Sequence, residues 1–298
     1  MMTEIDDTFA EAFDGLFTRL LVTSRDLKRL RKAAYGSTTL PSVVIGRVEG
    51  GVERLLGHNE TPDGRVGAML QFWGLHSPTR PKESVERFYH ELSYRIRQGI
   101  LVVPTTALYN AIESREKLDM MQRVGHCGDG YESEEDNLGR KIIRIPLMMG
   151  DFLIERYIGY DLGVAGGNLW LFCKNERVAL RAGEKVVAAV ESAGGTIAPF
   201  DICSAGSKPE TKYPGIGPTT NHIYCPTLRK KIPDSLVPEG VTSIPEIVIN
   251  GTTLGAVENA MKAGINAVRG MSGVVRISAG NFGGKLGKYK IYLRELQT

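Results

Sequence analysis

At 298 residues the chain has enough apolar residues for one large core or two modest ones. Its net charge of +3, with 42% hydrophobic and 24% charged residues, matches an ordinary globular protein and leaves no electrostatic footprint for nucleic acid or a membrane surface. The four cysteines (Cys127, Cys173, Cys203, Cys225) form no C-x-x-C pair, which excludes the usual zinc and dithiol patterns and fits a reducing cytoplasm.

The N-terminus, Met1-Met2-Thr3-Glu4-Ile5-Asp6-Asp7, is acidic and has no apolar signal core. No run is long enough to span a bilayer, so no membrane is expected and the location expected is cytoplasmic. Taken in order, strand-like runs alternate with amphipathic helices. Thr8 followed three residues later by Glu11 is a capping-box pattern in the run Asp7–Phe13. Thr18–Thr23 reads as a strand, and Ser24 opens a basic helix through Arg31. Ser42–Ile45 and Ala68–Phe72 read as strands, and Ser84–Gln98 as a helix with Val85, Phe88, Leu92 and Ile96 on one face. Ile100–Val103 reads as a strand ended by Pro104, and Ala107–Ile112 as a short helix. Gly128–Gly139 is polar and acidic, an exposed loop, and Lys141–Pro146 is a strand.

A break near residue 150 divides the chain into residues 1–149 and 150–298. Beyond it come a strand at Leu169–Cys173 and a helix at Arg177–Ser192, stopped by Gly194-Gly195. Ala198–Pro238 is rich in Pro, Gly, Thr and Ser, and an irregular stretch that long is more often functional than filler. Glu246–Gly251 is a strand, Leu254–Val268 a helix, and Val274–Ile277 and Lys290–Leu293 are strands. Strand–helix–strand units occur twice in this half, the pattern of a ferredoxin-like βαββαβ unit, and two such lobes fit the length. The fold class expected is therefore α+β.

Two glycine–asparagine segments stand out. One is Val164-Ala165-Gly166-Gly167-Asn168-Leu169-Trp170; the other runs from Ser278 through Gly280, Asn281, Gly283, Gly284 and Lys285 to Lys288. Glycine brings a backbone close to a ligand, but equally serves tight turns and bulges, and both readings stand. The lysine beside the second pair has no G-x-x-x-x-G-K-[ST] register, which argues against a nucleotide. His222 and Cys225 lack a second pair to complete a metal site, and no G-x-S-x-G elbow is present. The basic run Arg25–Lys32 has no interleaved aromatic residue and reads as a solvated helix face. Glu246 is bordered by apolar residues in Ile244-Pro245-Glu246-Ile247-Val248-Ile249. Desolvation there would raise its pKa and suit acid–base work; the alternative is an edge-strand carboxylate facing water.

These segments resemble the formylmethanofuran:tetrahydromethanopterin formyltransferase family. The similarity runs in order through Asp6–Phe13, Glu60–Arg65, Gly128–Tyr131, Gly150–Glu155, Val164–Asn168, Ala205–Lys208, Thr220-Asn221, Cys225–Arg229, Glu246–Gly251 and Ala279–Lys288. The departures fall mainly in the N-terminal half, at Tyr35–Pro41, and around the long loop, at Asp201–Ser204 and Pro209–Thr211. The resemblance implies two ferredoxin-like lobes, a homo-oligomer (a tetramer), and transfer of a formyl group between methanofuran and a ring nitrogen of tetrahydromethanopterin. It implies no cofactor and no metal, since both one-carbon carriers are substrates. It places the acid–base carboxylate on Glu246. The substrate-binding groups it implies are Gly166, Gly167, Asn168, Ser207, Lys208, Thr220, Asn221, Asn281, Gly283, Gly284 and Lys285. A related bacterial subunit belongs to a formyltransferase/hydrolase complex, so a non-catalytic subunit of such a complex is the alternative. An RNA-binding ferredoxin-like protein would need aromatic platforms that the strands lack.

Overall fold

Apolar residues alternate from Phe9 onward, and the whole run to Ser24 is one strand, β2 (Phe9–Ser24), preceded by the short β1 (Glu4–Ile5). The computed structural model describes residues 3–39, 47–208, 211–216 and 219–297. These pack as two compact units, Gly15–Leu162 and Met1–Asp14 with Gly163–Thr298.

In the unit Gly15–Leu162, β2 is followed by α1 (Leu27–Thr38), β3 (Val48–Leu56), β4 (Val66–Leu75), α2 (Pro81–Arg95) and β5 (Ala107–Asn110). The sheet order is β5-β2-β4-β3, all antiparallel. This is the split βαβ arrangement of a ferredoxin-like unit. Leu20, Val22, Leu70 and Phe72 from the sheet meet Leu30, Ala33, Phe88 and Leu92 from the helices. Each fully buried Leu, Val or Phe among them contributes roughly 1.5–3 kcal/mol. The remaining strands are β6 (Glu116–Asp119), β7 (Ser133–Asn137), β8 (Arg140–Leu147) and β9 (Gly150–Glu155). β9 runs parallel to β5 and carries the β8–β7 meander.

In the other unit the order repeats. The final part of β10 (Tyr157–Cys173) leads to α3 (Glu176–Ala193) and β11 (Thr196–Ile197). After the miniature ladder of β12 (Ser207–Lys208) and β13 (Thr219–Thr220) come β14 (Glu246–Gly251), α4 (Leu254–Val268), β15 (Val274–Ser278) and β16 (Tyr289–Tyr292). The sheet reads β15-β10-β14-β11, again antiparallel throughout, so the ferredoxin-like unit is duplicated. Asn175 and Thr253 cap α3 and α4 by accepting the N–H of Val178 and Ala256. β1 adds in parallel to β15, and β16 pairs with Phe9–Ala12. Those pairings draw the first fourteen residues into this unit, so packing divides the chain at 14/15 and 162/163, whereas the sequence pattern restarts near 150.

Several local expectations give way to tertiary pairing. Phe9–Phe13, within the expected capping-box run, is strand: Ala10 and Ala12 are fully buried at a period of two and pair with β16. Ser24 is the buried end of β2, and Asp26 caps α1 instead, accepting the N–H of Arg29. Ile100–Val103 continues α2 as a π turn and bend rather than a strand. Ala107–Asn110 is strand, not helix, because Leu108 and its neighbours zip onto Leu20–Thr23. Ser133–Asn137 forms a hairpin strand within the expected acidic loop. Ser42–Ile45 lies outside the described residues.

Candidate active site

Leu169 and Leu171 of β10, with Ile247 and Ile249 of β14, point at the helices. By alternation Trp170 and Glu246 point to the opposite face. They are direct cross-strand partners, and Trp170 Nε1 donates to Glu246 Oε1 at 2.9 Å. On the other flank Cys203 and Glu246 exchange both backbone N–H···O bonds at 2.8 Å. Trp170, Glu246 and Cys203 thus form one row across three chain segments, with side chains on a common face. The long irregular segment covers that face. Tyr224 sets its ring edge-on to Trp170 at 4.8 Å, and Val237, Val241 and Ile244 fill the space beside it.

Burial pushes the Glu246 carboxyl above the usual carboxylate range; the Trp170 N–H and the Cys203 thiol pull the other way and only partly offset it. Both partners are neutral donors. Among the described residues no ion pair offsets that burial, which is the environment that suits a carboxyl to acid–base work.

Two cavities meet at this row. One, of about 420 Å³, is lined by Glu176, Ile202, Cys203, Cys225, Pro226 and Thr242 among others. The second, of about 670 Å³, is lined by Asp6, Asp7, Thr8, Asn168, Lys208, His222 and Ser278–Phe282. Trp170, Asn221, Tyr224 and Glu246 line both. Gly280 is required for the shared wall: a Cβ there would stand 2.5 Å from Trp170 Cζ2.

The profile described as formylmethanofuran-tetrahydromethanopterin formyltransferase matches residues 1–147, and that described as the proximal lobe of the same protein, FTR, matches residues 150–296. The chain belongs to the formylmethanofuran–tetrahydromethanopterin formyltransferase family. A formyltransferase-like protein of Archaeoglobus fulgidus is 57% identical over 98% of this chain and 96% of its own. The formylmethanofuran:tetrahydromethanopterin formyltransferase of Methanosarcina barkeri superposes with a TM-score of 0.90 at 39% identity, covering 99% and 98% of the two chains. A chain of the formyltransferase/hydrolase complex of Methylorubrum extorquens, solved with methylofuran, gives 0.89 at 32% identity over 100% and 99%. The two-lobed α+β architecture is that of this enzyme family.

Within this family member the expected site residues separate into groups. Glu246, Asn168, Lys208, Asn221 and Asn281 all line the larger cavity. Gly166 and Gly167 do not form a loop: they make a bulge in β10, with Gly166 at φ +93° and its N–H donated to Asn250 Oδ1. Gly167 faces the core, where a Cβ would stand 2.4 Å from Val257. The bulge positions Asn168, whose side chain donates to Gly280 O at 3.0 Å and accepts from Gly280 N at 2.6 Å, tying the two glycine–asparagine segments together. Asn281 donates to Thr8 Oγ1 and Phe9 O. Ser207 and Thr220 are paired in the β12–β13 ladder, and the Thr220 hydroxyl donates to Ala205 O. Gly283 and Gly284 shape the second loop in the left-handed region, and Lys285 is exposed and lines neither cavity.

Sequence reasoning missed Trp170, Cys203, Tyr224 and Glu11. Glu11, 2% exposed, accepts backbone N–H groups from Phe282, Gly284, Leu286 and Gly287. Burial alone would raise its pKa, but the four N–H donors outweigh it and hold the carboxylate below its ordinary range. Its signal was a charge inside the buried alternation Ala10-Glu11-Ala12. Trp170 was readable as a same-face neighbour of Asn168; the contacts of Cys203 and Tyr224 arise only from the path of the irregular segment.

Proposed function

We propose that this chain transfers a formyl group between formylmethanofuran and a ring nitrogen of tetrahydromethanopterin, with Glu246 as the acid–base group. The observation that carries this reading is a carboxyl of raised pKa at the junction of two cavities, in a member of this family. The acceptor amine adds to the formyl carbon, a C–N bond forms, and the carbonyl becomes a tetrahedral oxyanion. Collapse breaks the C–N bond to the donor amine. The acceptor nitrogen loses a proton and the departing nitrogen gains one; Glu246 mediates that exchange. Holding both carriers across one carboxyl supplies the alignment that dominates such a reaction. Lys208 in the larger cavity suits the carboxylates of the carriers. Both carriers are substrates, and the reaction as written uses no resident cofactor or metal.

Among the described residues no helix is long and apolar enough to cross a membrane. We place the reaction in the cytoplasm, in a homotetramer, a state that light scattering on the purified protein tests. The Methylorubrum relative favours a second reading, a subunit of a larger formyl-transfer complex. Purified protein incubated with formylmethanofuran and tetrahydromethanopterin, with tetrahydrofolate as the control acceptor, separates them. Pterin-dependent transfer that is lost in Glu246→Gln supports the enzyme reading. No transfer, together with stable co-purification of partner subunits, favours the complex subunit. Near-wild-type transfer by Glu246→Gln would remove the acid–base role.

A further inference from the structure

Cys203 is held against Glu246 more firmly than packing alone requires. Both of its backbone groups are bonded to Glu246, so the two side chains leave the backbone side by side. The Ala205 N–H donates to the Cys203 sulfur at 3.5 Å, which occupies the sulfur as acceptor and leaves its S–H proton for the carboxyl. Trp170 Nε1 holds Oε1 from the opposite flank. The carboxyl therefore lies between the Trp170 indole N–H that bonds it and the Cys203 side chain at the adjacent ladder position, at the junction of the two cavities.

We propose that Cys203 is a positioning residue for the reaction: its thiol donates to the Glu246 carboxylate, fixes that group between the two cavities, and sets the pH range in which it exchanges a proton with substrate. This rests on Glu246 being the acid–base group. A donor bonded to the charged form lowers a carboxyl pKa, and a thiol does so more weakly than a hydroxyl. A thiol at this place is a compromise. It orients the carboxylate while leaving it basic enough to take a proton. The other titratable groups facing the junction are Glu176, Tyr224 and Cys225 from the smaller cavity, and Asp6, Asp7, Lys208 and His222 from the larger. Among the described residues, none of these is hydrogen-bonded to the Glu246 carboxyl; Trp170 Nε1 is, and Cys203 is its neighbour in the ladder.

The test uses two substitutions with opposite expected signs. In Cys203→Ala the donor is gone, and the acidic limb of the kcat/KM–pH profile moves up by roughly half a unit to one unit. In Cys203→Ser the stronger hydroxyl donor moves the limb down. A second readout needs no substrate. The chain has two tryptophans, so in a Trp73→Phe background the emission of Trp170 reports protonation of the carboxyl it touches. Its titration midpoint should rise in Cys203→Ala, fall in Cys203→Ser and vanish in Glu246→Gln. Should the alanine variant fail to fold, the serine variant, which changes one atom, still has to lower the midpoint. Limbs and midpoints that stay put, or that move in the same direction in both variants, overturn the role of Cys203. If Glu246→Gln is inactive while the midpoints do not respond to Cys203, only this inference falls. If Glu246→Gln retains transfer, the acid–base reading falls first.

Discussion

Each unit has a carboxyl near the corner where its third ferredoxin-like strand begins, β4 in one and β14 in the other; by register Val66 corresponds to Ser243, so Asp63 lies further out along the chain than Glu246. In the unit Gly15–Leu162 it is Asp63, just before β4. Arg65 donates to it at 2.6 and 2.8 Å, Thr23 at 2.6 Å and Tyr109 at 3.0 Å. Arg65 spends its remaining donors on Thr105 O and Thr23. Burial pulls the Asp63 pKa upward, but these bonds and the Arg65 charge hold it below the ordinary range. Tyr109, buried beside that carboxylate, is pushed up to about 12. In the other unit Glu246 has the Trp170 indole and the Cys203 side chain beside it and, among the described residues, no ion pair, and its pKa moves the other way. The Arg65 counter-ion makes Asp63 a rivet, whereas burial without an ion pair among the described residues leaves Glu246 with a raised pKa, the environment that the proposed acid–base role requires.

The sharpest way to break this contrast is to remove each charge in turn. Glu246→Gln should lower kcat by roughly 10²–10⁴, the span of a lost general acid–base group, without loss of fold. Asp63→Asn should leave the chemistry nearly intact but strand Arg65 in a largely buried place, at a cost of about 3 kcal/mol. Thermal unfolding and steady-state transfer, measured on both variants, decide it: equal loss of activity in both would erase the distinction between site and rivet.

Much of this was legible in the chain, and the failures share a cause. Leu254–Val268 was readable because its apolar period and Thr253 cap agree with its tertiary role. Glu246 stood out because a charge opens a strongly apolar strand. The Ala107–Asn110 strand and the Phe9–Phe13 run were misread because their partners lie far along the chain, and local propensity cannot register those partners. The same holds for the site. Asn168 was visible as a candidate, yet its work is to bind Gly280, and the Trp170–Glu246–Cys203 row depends on pairings that no local window contains.

A third carboxylate sharpens the comparison at a smaller scale. Among the described residues Glu11 makes no ion pair within 4 Å either, but its four backbone donors hold it ionised and fix the loop that walls the larger cavity. Glu11→Gln should cost about 1.5–3 kcal/mol, loosen the Asn281–Gly287 loop in hydrogen exchange, and raise KM more than it lowers kcat. A kcat effect as large as that of Glu246→Gln would place Glu11 in the chemistry instead.

The smallest effect has the most telling sign. A carboxyl whose pKa is raised by folding contributes stability that is present below its unfolded value and lost as pH rises through the folded one. Above the unfolded value the raised carboxyl therefore burdens the fold, and at pH 7 Glu246→Gln should be more stable than the parent by about 1 kcal/mol. That gain should fade as pH falls toward roughly 4, where the unfolded carboxyl also takes up its proton. Asp63 has the opposite linkage: its contribution is present above the unfolded value and lost as pH falls through the depressed one. Plotted against pH, the stability difference of Glu246→Gln should be positive at neutrality and that of Asp63→Asn negative, with both shrinking in acid. A destabilised Glu246→Gln at pH 7 would mean that its carboxylate holds the structure together, and the two corners would then differ in degree rather than in kind.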